Sequence, residues 1–367
     1  VQLVSLTITD FRNIGEMSIE PDPEGTTVIT GLNGAGKSSV LEAIGYLATM
    51  ESFRGSPRQA LVRQGAESAI LRAETRSDGR AMTIEAELSA SGRSRILVNR
   101  QNVRRRSDLH EALRTTTFSP EDIGVVRSGP AERRHFLDQT LAVVDPKAAR
   151  SVEDVDKILR QRAALLRTAG RRLSAEVAAT LDVWDSRLDA AGTTLVEARE
   201  ALVADLAPIV GDHYARLAGR PTDVGLQYQR SWSGPLIDAL AQSRTKDVER
   251  GISSVGPHRD ELLLLVGELP ARTQASQGEQ RTLALALQLA AHQLATERLG
   301  SSPVLLLDDV FSELDPFRSR ALLAGLPPGQ ALLTTAMPAP TEVESARVYA
   351  METGGHVSVV ASPGPSQ

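Results

Sequence analysis

The 367-residue sequence predicts an α/β fold interrupted by a long helical block. Three observations predict it. A glycine-rich stretch, "GLNGAGKSS" (31–39), lies between an apolar strand pattern and a helical one. A continuous apolar run, "PVLLLDDVF", ends in two carboxylates. Residues 146–217 carry their apolar side chains at helical spacing.

Taken in order, "VQLVSLTITD" alternates apolar and polar residues as a strand does and lacks the apolar block of a signal peptide. "TTVIT" reads as a strand ending at Gly31, and "SSVLEAIGYLA" as the helix after it. Residues 68–118 alternate repeatedly in "AILRAET", "AMTIEAELS", "RILVN" and "QNVRR", the pattern of antiparallel strands joined by polar turns. In the helical block, Val155, Leu159, Leu165, Ala169 and Leu173 mark one face. Leu181, Trp184, Leu188, Leu195, Leu202, Leu206 and Ile209 mark another. A break is expected near Gly170 and Arg171, and Pro208 is expected to end or kink the second helix. The heptads are too irregular for a long coiled coil. Strands return in "GLQYQRSW" and "DELLLLVGE", then a helix from 276, the strand "PVLLLDDVF", a helix near "DPFRSRALLAGL" and the strand "QALLTTA". The expected division is a split head, 1–134 and 224–367, with a helical arm at 135–223 inserted into it.

Composition narrows the function classes. A hydrophobic content of 41% supports a real core, and the absence of cysteine excludes disulfides and thiolate metal sites. A reducing, cytoplasmic location is the expectation. No segment approaches the roughly 20 apolar residues that span a bilayer. The net charge of −5 weighs against nucleic acid as a partner for the chain as a whole. The 41 basic residues are nevertheless mostly arginine, which suits bidentate phosphate contacts, or reflects a GC-rich genome.

"GLNGAGKSS" fits G-x-x-x-x-G-K-[ST] in full and in the strand-to-helix context that the motif requires. Its glycines let the backbone wrap so that amides face phosphate oxygens; Asn33, Gly34, Ala35, Gly36, Lys37, Ser38 and Ser39 form the candidate nucleotide cradle. Lys37 suits the β- and γ-phosphates and Ser38 suits Mg²⁺. "PVLLLDDVF" supplies the complement: Asp308 suits Mg²⁺ through water, and Asp309 suits polarising an attacking water. "SQGEQRTLALALQLA" opens as a capping box, with Ser276 and Glu279 in the reciprocal positions.

Together with "DFRNIG", "FSPEDIGVVRSGPAERRHFLD", "GPHRDEL" and "LLLDDVFSELD", these stretches resemble the RecF family of SMC-like, ABC-type ATPases over almost the whole chain. The resemblance implies an ABC-type P-loop ATPase head with an antiparallel β subdomain and an inserted α-helical arm. It makes Ser276, Gln277, Gly278 and Glu279 the signature motif, which would meet ATP held by a second copy of the chain in an ATP-dependent homodimer. The capping box would then be the resting state of Ser276. The resemblance gives Arg12 a nucleotide-side role, for which a structural role is the alternative, and makes 312–315 ("SELD") the D-loop. It implies weak, DNA-stimulated ATP hydrolysis with Mg²⁺, binding to double-stranded DNA near single-strand gaps, and support of RecA loading with RecO and RecR.

Two departures stand out. The loop glutamine of ABC proteins is replaced by "FSPED" (Ser119, Glu121, Asp122), with Gln64 as an early alternative. The switch histidine is replaced by Thr334 or Thr335. In "GPHRDEL", His258, Arg259 and Asp260 read mainly as a structural turn, such as an arginine–carboxylate pair, with nucleotide or dimer signalling as the alternative.

Two arginine clusters are candidates for duplex DNA: Arg93, Arg95, Arg100, Arg104, Arg105 and Arg106, and Arg160, Arg162, Arg167, Arg171 and Arg172. Either could equally be a solvated charged face. With only 3% aromatic residues, stacking on single strands is disfavoured. Other readings are an ABC-type subunit of another assembly such as a transporter, which would need a membrane partner, or a P-loop small-molecule kinase, which leaves "SQGEQ" unexplained.

Overall fold

A computed structural model describes residues 1–77, 79–103, 106–170, 172–326, 328–336, 347–352 and 357–360. Arg104, Arg105 and Arg171 lie outside the described residues, as does the side chain of Arg106. The chain forms two compact units. The first comprises Val1–Asp122, Arg216–Gly219 and Leu285–Gln367; the second comprises Ile123–Ala215 and Arg220–Ala284.

The first unit holds two six-stranded sheets. One is antiparallel: β1 (Gln2–Phe11), β2 (Ile14–Ile19), β4 (Ser68–Ser77), β5 (Arg80–Ser89), β6 (Arg95–Val98) and β7 (Gln101–Asn102), in the order β2-β1-β4-β5-β6-β7. The other contains β3 (Thr26–Gly31), β8 (Thr115–Phe118), β12 (Val304–Asp308), β13 (Ala331–Thr335), β14 (Arg347–Met351) and β15 (Val357–Val360), ordered β15-β14-β3-β13-β12-β8. Its strands pair in parallel except β14 with β15. The alternation read at 68–77 is that of a half-buried strand, whereas all five residues of β12 are buried, as a central parallel strand requires. Helix α1 (Lys37–Thr49) packs against strands of both sheets, and Leu6, Phe11, Leu41, Ile44, Leu71, Leu306 and Leu332 share one core with it.

The second unit contains α2 (Gly124–Arg127), α3 (Pro130–Val144), α4 (Pro146–Thr168), most of α5 (Ala175–Ala218), α6 (Leu236–Arg250), α7 (Ala271–Gln274) and the start of α8 (Gln277–Leu299). It also holds a three-stranded sheet ordered β11-β10-β9 from β9 (Val224–Gln229), β10 (Glu261–Val266) and β11 (Leu269–Pro270). A final helix, α9 (Pro316–Ala324), belongs to the first unit.

Two expectations need correction. Pro208 does not end a helix, because α5 runs through it for 44 residues. Arg162 is not available to DNA. It is fully buried, donating to Asp185 and Asp247 at 2.9 Å each and to Ser253 at 2.6 Å. What read as part of a basic stripe is the centre of a buried ion cluster.

Candidate nucleotide site

The site grows from the C-terminal ends of β3 and β12. β3 ends at Gly31, where the backbone turns with φ 153°; a side chain there would come within 2.4 Å of the Met351 carbonyl oxygen. Gly36 has φ 112°, and a Cβ would press on Met351 and on Asn13 at 2.8 and 3.0 Å. Both positions need glycine, and both shape the loop over which α1 begins. No side chain caps α1 and its first turn carries no acid, so its N-terminal amides remain open to an anion. Asn33 and Gly34 are exposed, whereas Ala35, Gly36 and Lys37 are buried.

Lys37 donates to the carbonyl oxygens of Gly31 and Leu32 at 2.8 and 3.0 Å. Burial lowers its pKa, and the charges of Asp309 and Asp308 oppose that shift. Asp308 is buried, and desolvation raises its pKa against hydrogen bonds from Ser38 and Thr334. The loop serine and the strand aspartate therefore already touch, and Ser38 with Asp308 makes the oxygen-rich pair that Mg²⁺ prefers. Asp309 follows in a left-handed conformation, φ 46°, with its amide donating to Thr334 Oγ1 at 3.0 Å. The structure thus brings Lys37, Ser38, Asp308 and Asp309 together. Ser39 is turned away: it is buried and donates to Asn13 Oδ1 at 3.0 Å.

Arg12 lies in the two-residue turn between β1 and β2 and is engaged on most of its donors. It clasps the fully buried Glu42 through two bonds of 2.8 and 2.6 Å, and it also donates to Ser56 and to the Ala60 carbonyl. Its neighbour Asn13 went unnoticed in the sequence: it donates to the Gly34 carbonyl at 2.8 Å while accepting from Ser39, bracing both ends of the loop. Glu42 was missed too, although a lone acid inside the apolar helix "SSVLEAIGYLA" is the mark of a buried ion pair.

Of the replacements for the loop glutamine, Asp122 accepts from the Ser119 amide at 2.7 Å and from Gln288, and desolvation pushes its pKa up to about 7. Glu121 is exposed, 3.9 Å from Arg54, and Gln64 lies in an exposed turn. Ser312 folds back on the Asp309 carbonyl at 2.8 Å, and Asp315 caps α9 through the Arg318 amide.

In the second unit the capping box is closed. Ser276 Oγ donates to Glu279 Oε2 at 2.9 Å, the Ser276 amide donates to the same oxygen, and the Glu279 amide donates back to Ser276 Oγ at 3.3 Å. These bonds hold the Glu279 carboxyl below its ordinary pKa, and Arg220 stands 3.4 Å away. Ser276 and Gln277 are exposed and Gly278 is half-buried. Gln280 is buried and fixes the turn by donating to the carbonyls of Ala271 and Arg272 while accepting from Arg127. "GPHRDEL" is braced from outside: His258 and Arg259 meet the Ser253 carbonyl, the Asp260 carboxylate accepts from Tyr228 and the Ser231 amide, Arg134 donates to the Asp260 carbonyl, and Glu261 rather than Asp260 makes the arginine–carboxylate pair, accepting twice from Arg133 at 2.7 Å.

Arg93, in the connection between β5 and β6, and Arg95, at the start of β6, are exposed; β6 and the edge strand β7 form a hairpin. Arg95 also reaches Asn102 at 3.1 Å. The hairpin turns on Asn99 and Arg100, both with left-handed φ, as tight hairpins demand.

A strand–loop–helix phosphate cradle beside a second strand ending in acids, on this sheet order, defines a P-loop ATPase head of the SMC kind. A family model described as the RecF/RecN/SMC N-terminal domain matches residues 2–331. The chain belongs to the RecF family. It is 42% identical over 356 residues to the DNA replication and repair protein RecF of Frankia alni, covering 92% of this chain and 93% of that protein. It is 40% identical over 353 residues to that of Streptomyces avermitilis, covering 92% and 93%. Among solved structures it is similar to the recombination mediator protein RecF–ATP of the RecFOR pathway, with TM-score 0.89, 30% identity and 98% of each chain covered. A Smc head bound to the C-winged helix domain of ScpA shares the fold alone, at 15% identity and TM-score 0.58 over 98% of this chain and 97% of that one. No described helix is long and apolar enough to cross a membrane.

Proposed function

We propose that this chain is an ATP-dependent DNA-binding protein of recombinational repair and replication restart in the cytoplasm. It dimerises on ATP, binds duplex DNA near single-strand gaps, and supports RecA loading with RecO- and RecR-like partners. The observation that carries this reading is the convergence of Lys37, Ser38, Asp308 and Asp309 at two strand ends in a RecF-family chain. The head at 1–134 and 224–367 and the arm at 135–223 are its working parts.

In this reading the loop amides and Lys37 bind the ATP phosphates, and Ser38 and Asp308 hold Mg²⁺, which would neutralise phosphate charge. Asp309 polarises the attacking water. Aspartate is one methylene shorter than glutamate, which fits slow hydrolysis. The exposed Ser276–Glu279 turn is the surface offered to the nucleotide of a second copy. Its serine leaves Glu279 for a phosphate oxygen, and hydrolysis returns it. Arg93 and Arg95, which are exposed, contact the DNA backbone together with Arg104, Arg105 and Arg106, so binding is salt-sensitive and weak in sequence preference.

The test is binding of the full chain to a fluorescent gapped duplex with and without ATP–Mg²⁺. Binding that needs ATP and disappears in Lys37→Ala supports the proposal. Binding indifferent to ATP, or none, overturns it.

A further inference from the structure

Thr334 is one of the two residues, with Thr335, that stand where a switch histidine was expected, near the end of β13. That strand runs between β3 and β12, and the parallel register sets Thr334 directly opposite Asp308. Its side chain is fully buried. The hydroxyl donates to Asp308 Oδ1 at 2.7 Å and accepts from the Asp309 amide at 3.0 Å. A hydroxyl has one proton. With the Asp309 amide on its acceptor side, that proton goes to the carboxylate at 2.7 Å rather than to the Leu307 carbonyl at 3.5 Å. The same bond pins Asp309 in its left-handed conformation, which a non-glycine residue keeps only where its surroundings impose it. Ser38 holds the Asp308 carboxylate as well.

We infer that Thr334 is a positioning residue for Mg²⁺: it fixes the Asp308 carboxylate beside Ser38 and pins the turn that aims Asp309, acting through both acids and not on the phosphate itself. This rests on the nucleotide reading above. A hydroxyl spent on two neighbours has no proton left for a γ-phosphate, which separates this role from that of a direct phosphate sensor. Loss of a partner that orients a metal-binding carboxylate typically costs about 10–100-fold in metal affinity.

The experiment uses the full chain with Thr334→Val, which keeps the shape and removes the hydroxyl, and Thr334→Ser, which keeps the hydroxyl. Mn²⁺ affinity in the presence of ATP is read by electron paramagnetic resonance. Metal-free ATP binding is read by fluorescence. The expectation for Thr334→Val is a loss of about tenfold or more in Mn²⁺ affinity, with metal-free ATP binding held within about twofold and Mn²⁺ binding restored by serine. Unchanged Mn²⁺ affinity in Thr334→Val overturns the inference. So does a parallel loss of metal-free ATP binding, which would assign Thr334 to phosphate contact or to folding. Failure of the unaltered chain to bind ATP at all overturns the nucleotide reading, and this inference with it.

Discussion

Lys37 in the first unit and Arg162 in the second are both buried cations, 7% and 0% exposed, yet their surroundings differ in kind. Lys37 leans on two neutral carbonyl oxygens of a glycine-rich loop; burial lowers its pKa, and two nearby carboxylates oppose that shift. Arg162 is enclosed by two fully buried carboxylates and a serine. Neutral carbonyls are partners that a phosphate can displace. Buried carboxylates already neutralise the cation and leave an incoming anion nothing to gain. Burial of a charge is therefore a poor marker of a site by itself, and the exchangeability of its partners is the better one.

The sharpest way to break this comparison is Arg162→Leu. It strands Asp247 without its cation and leaves Asp185 with Arg244 alone, and the expected loss is about 3–5 kcal/mol of stability, measured by urea unfolding. Nucleotide affinity of the folded fraction should not change.

Asp122→Asn tests a half-buried carboxyl, held by Ser119 and Gln288 rather than by a cation. The native pKa of about 7 lies above the unfolded value, so this group's contribution is full below about pH 4 and is lost as pH rises through about 7. Asparagine should stabilise the chain by roughly 2–4 kcal/mol at pH 8 and by almost nothing at pH 4, read as the difference between unfolding curves.

Lys37→Ala should weaken ATP binding by at least about tenfold, the loss of a charge-assisted contact, with little change in the unfolding midpoint. A large fall in stability instead would place Lys37 in the same class as Arg162. The smallest effect concerns the hairpin edge. Arg93→Ala with Arg95→Ala should flatten the salt dependence of duplex binding by about one to two phosphate contacts.

The candidate nucleotide site was legible in the sequence because its parts are local. Gly31, Gly36, Lys37 and Ser38 fall within one turn and one helix start, and Asp308 with Asp309 closes a run that only a buried strand explains. The capping box of Ser276 and Glu279 was legible for the same reason. What required the structure was long-range. Thr334 meets Asp308 only because β13 lies between the two motif strands, an order that no local pattern encodes. Arg162 finds its partners 23 and 85 residues away, so a helix of arginines read as a basic face. Pro208 was read by its local effect on a helix, whereas Leu202, Leu206 and Val210 on either side of it are buried and hold α5 together.

The central claim is that the exposed turn at Ser276 meets the nucleotide of a second copy. Light scattering of Asp309→Asn, with and without ATP–Mg²⁺, tests it most directly. The expected result is a mass of two chains with ATP and one without, returning to one chain when Ser276→Arg is added although ATP still binds. A single-chain mass under every condition, or a dimer that survives Ser276→Arg, would contradict it.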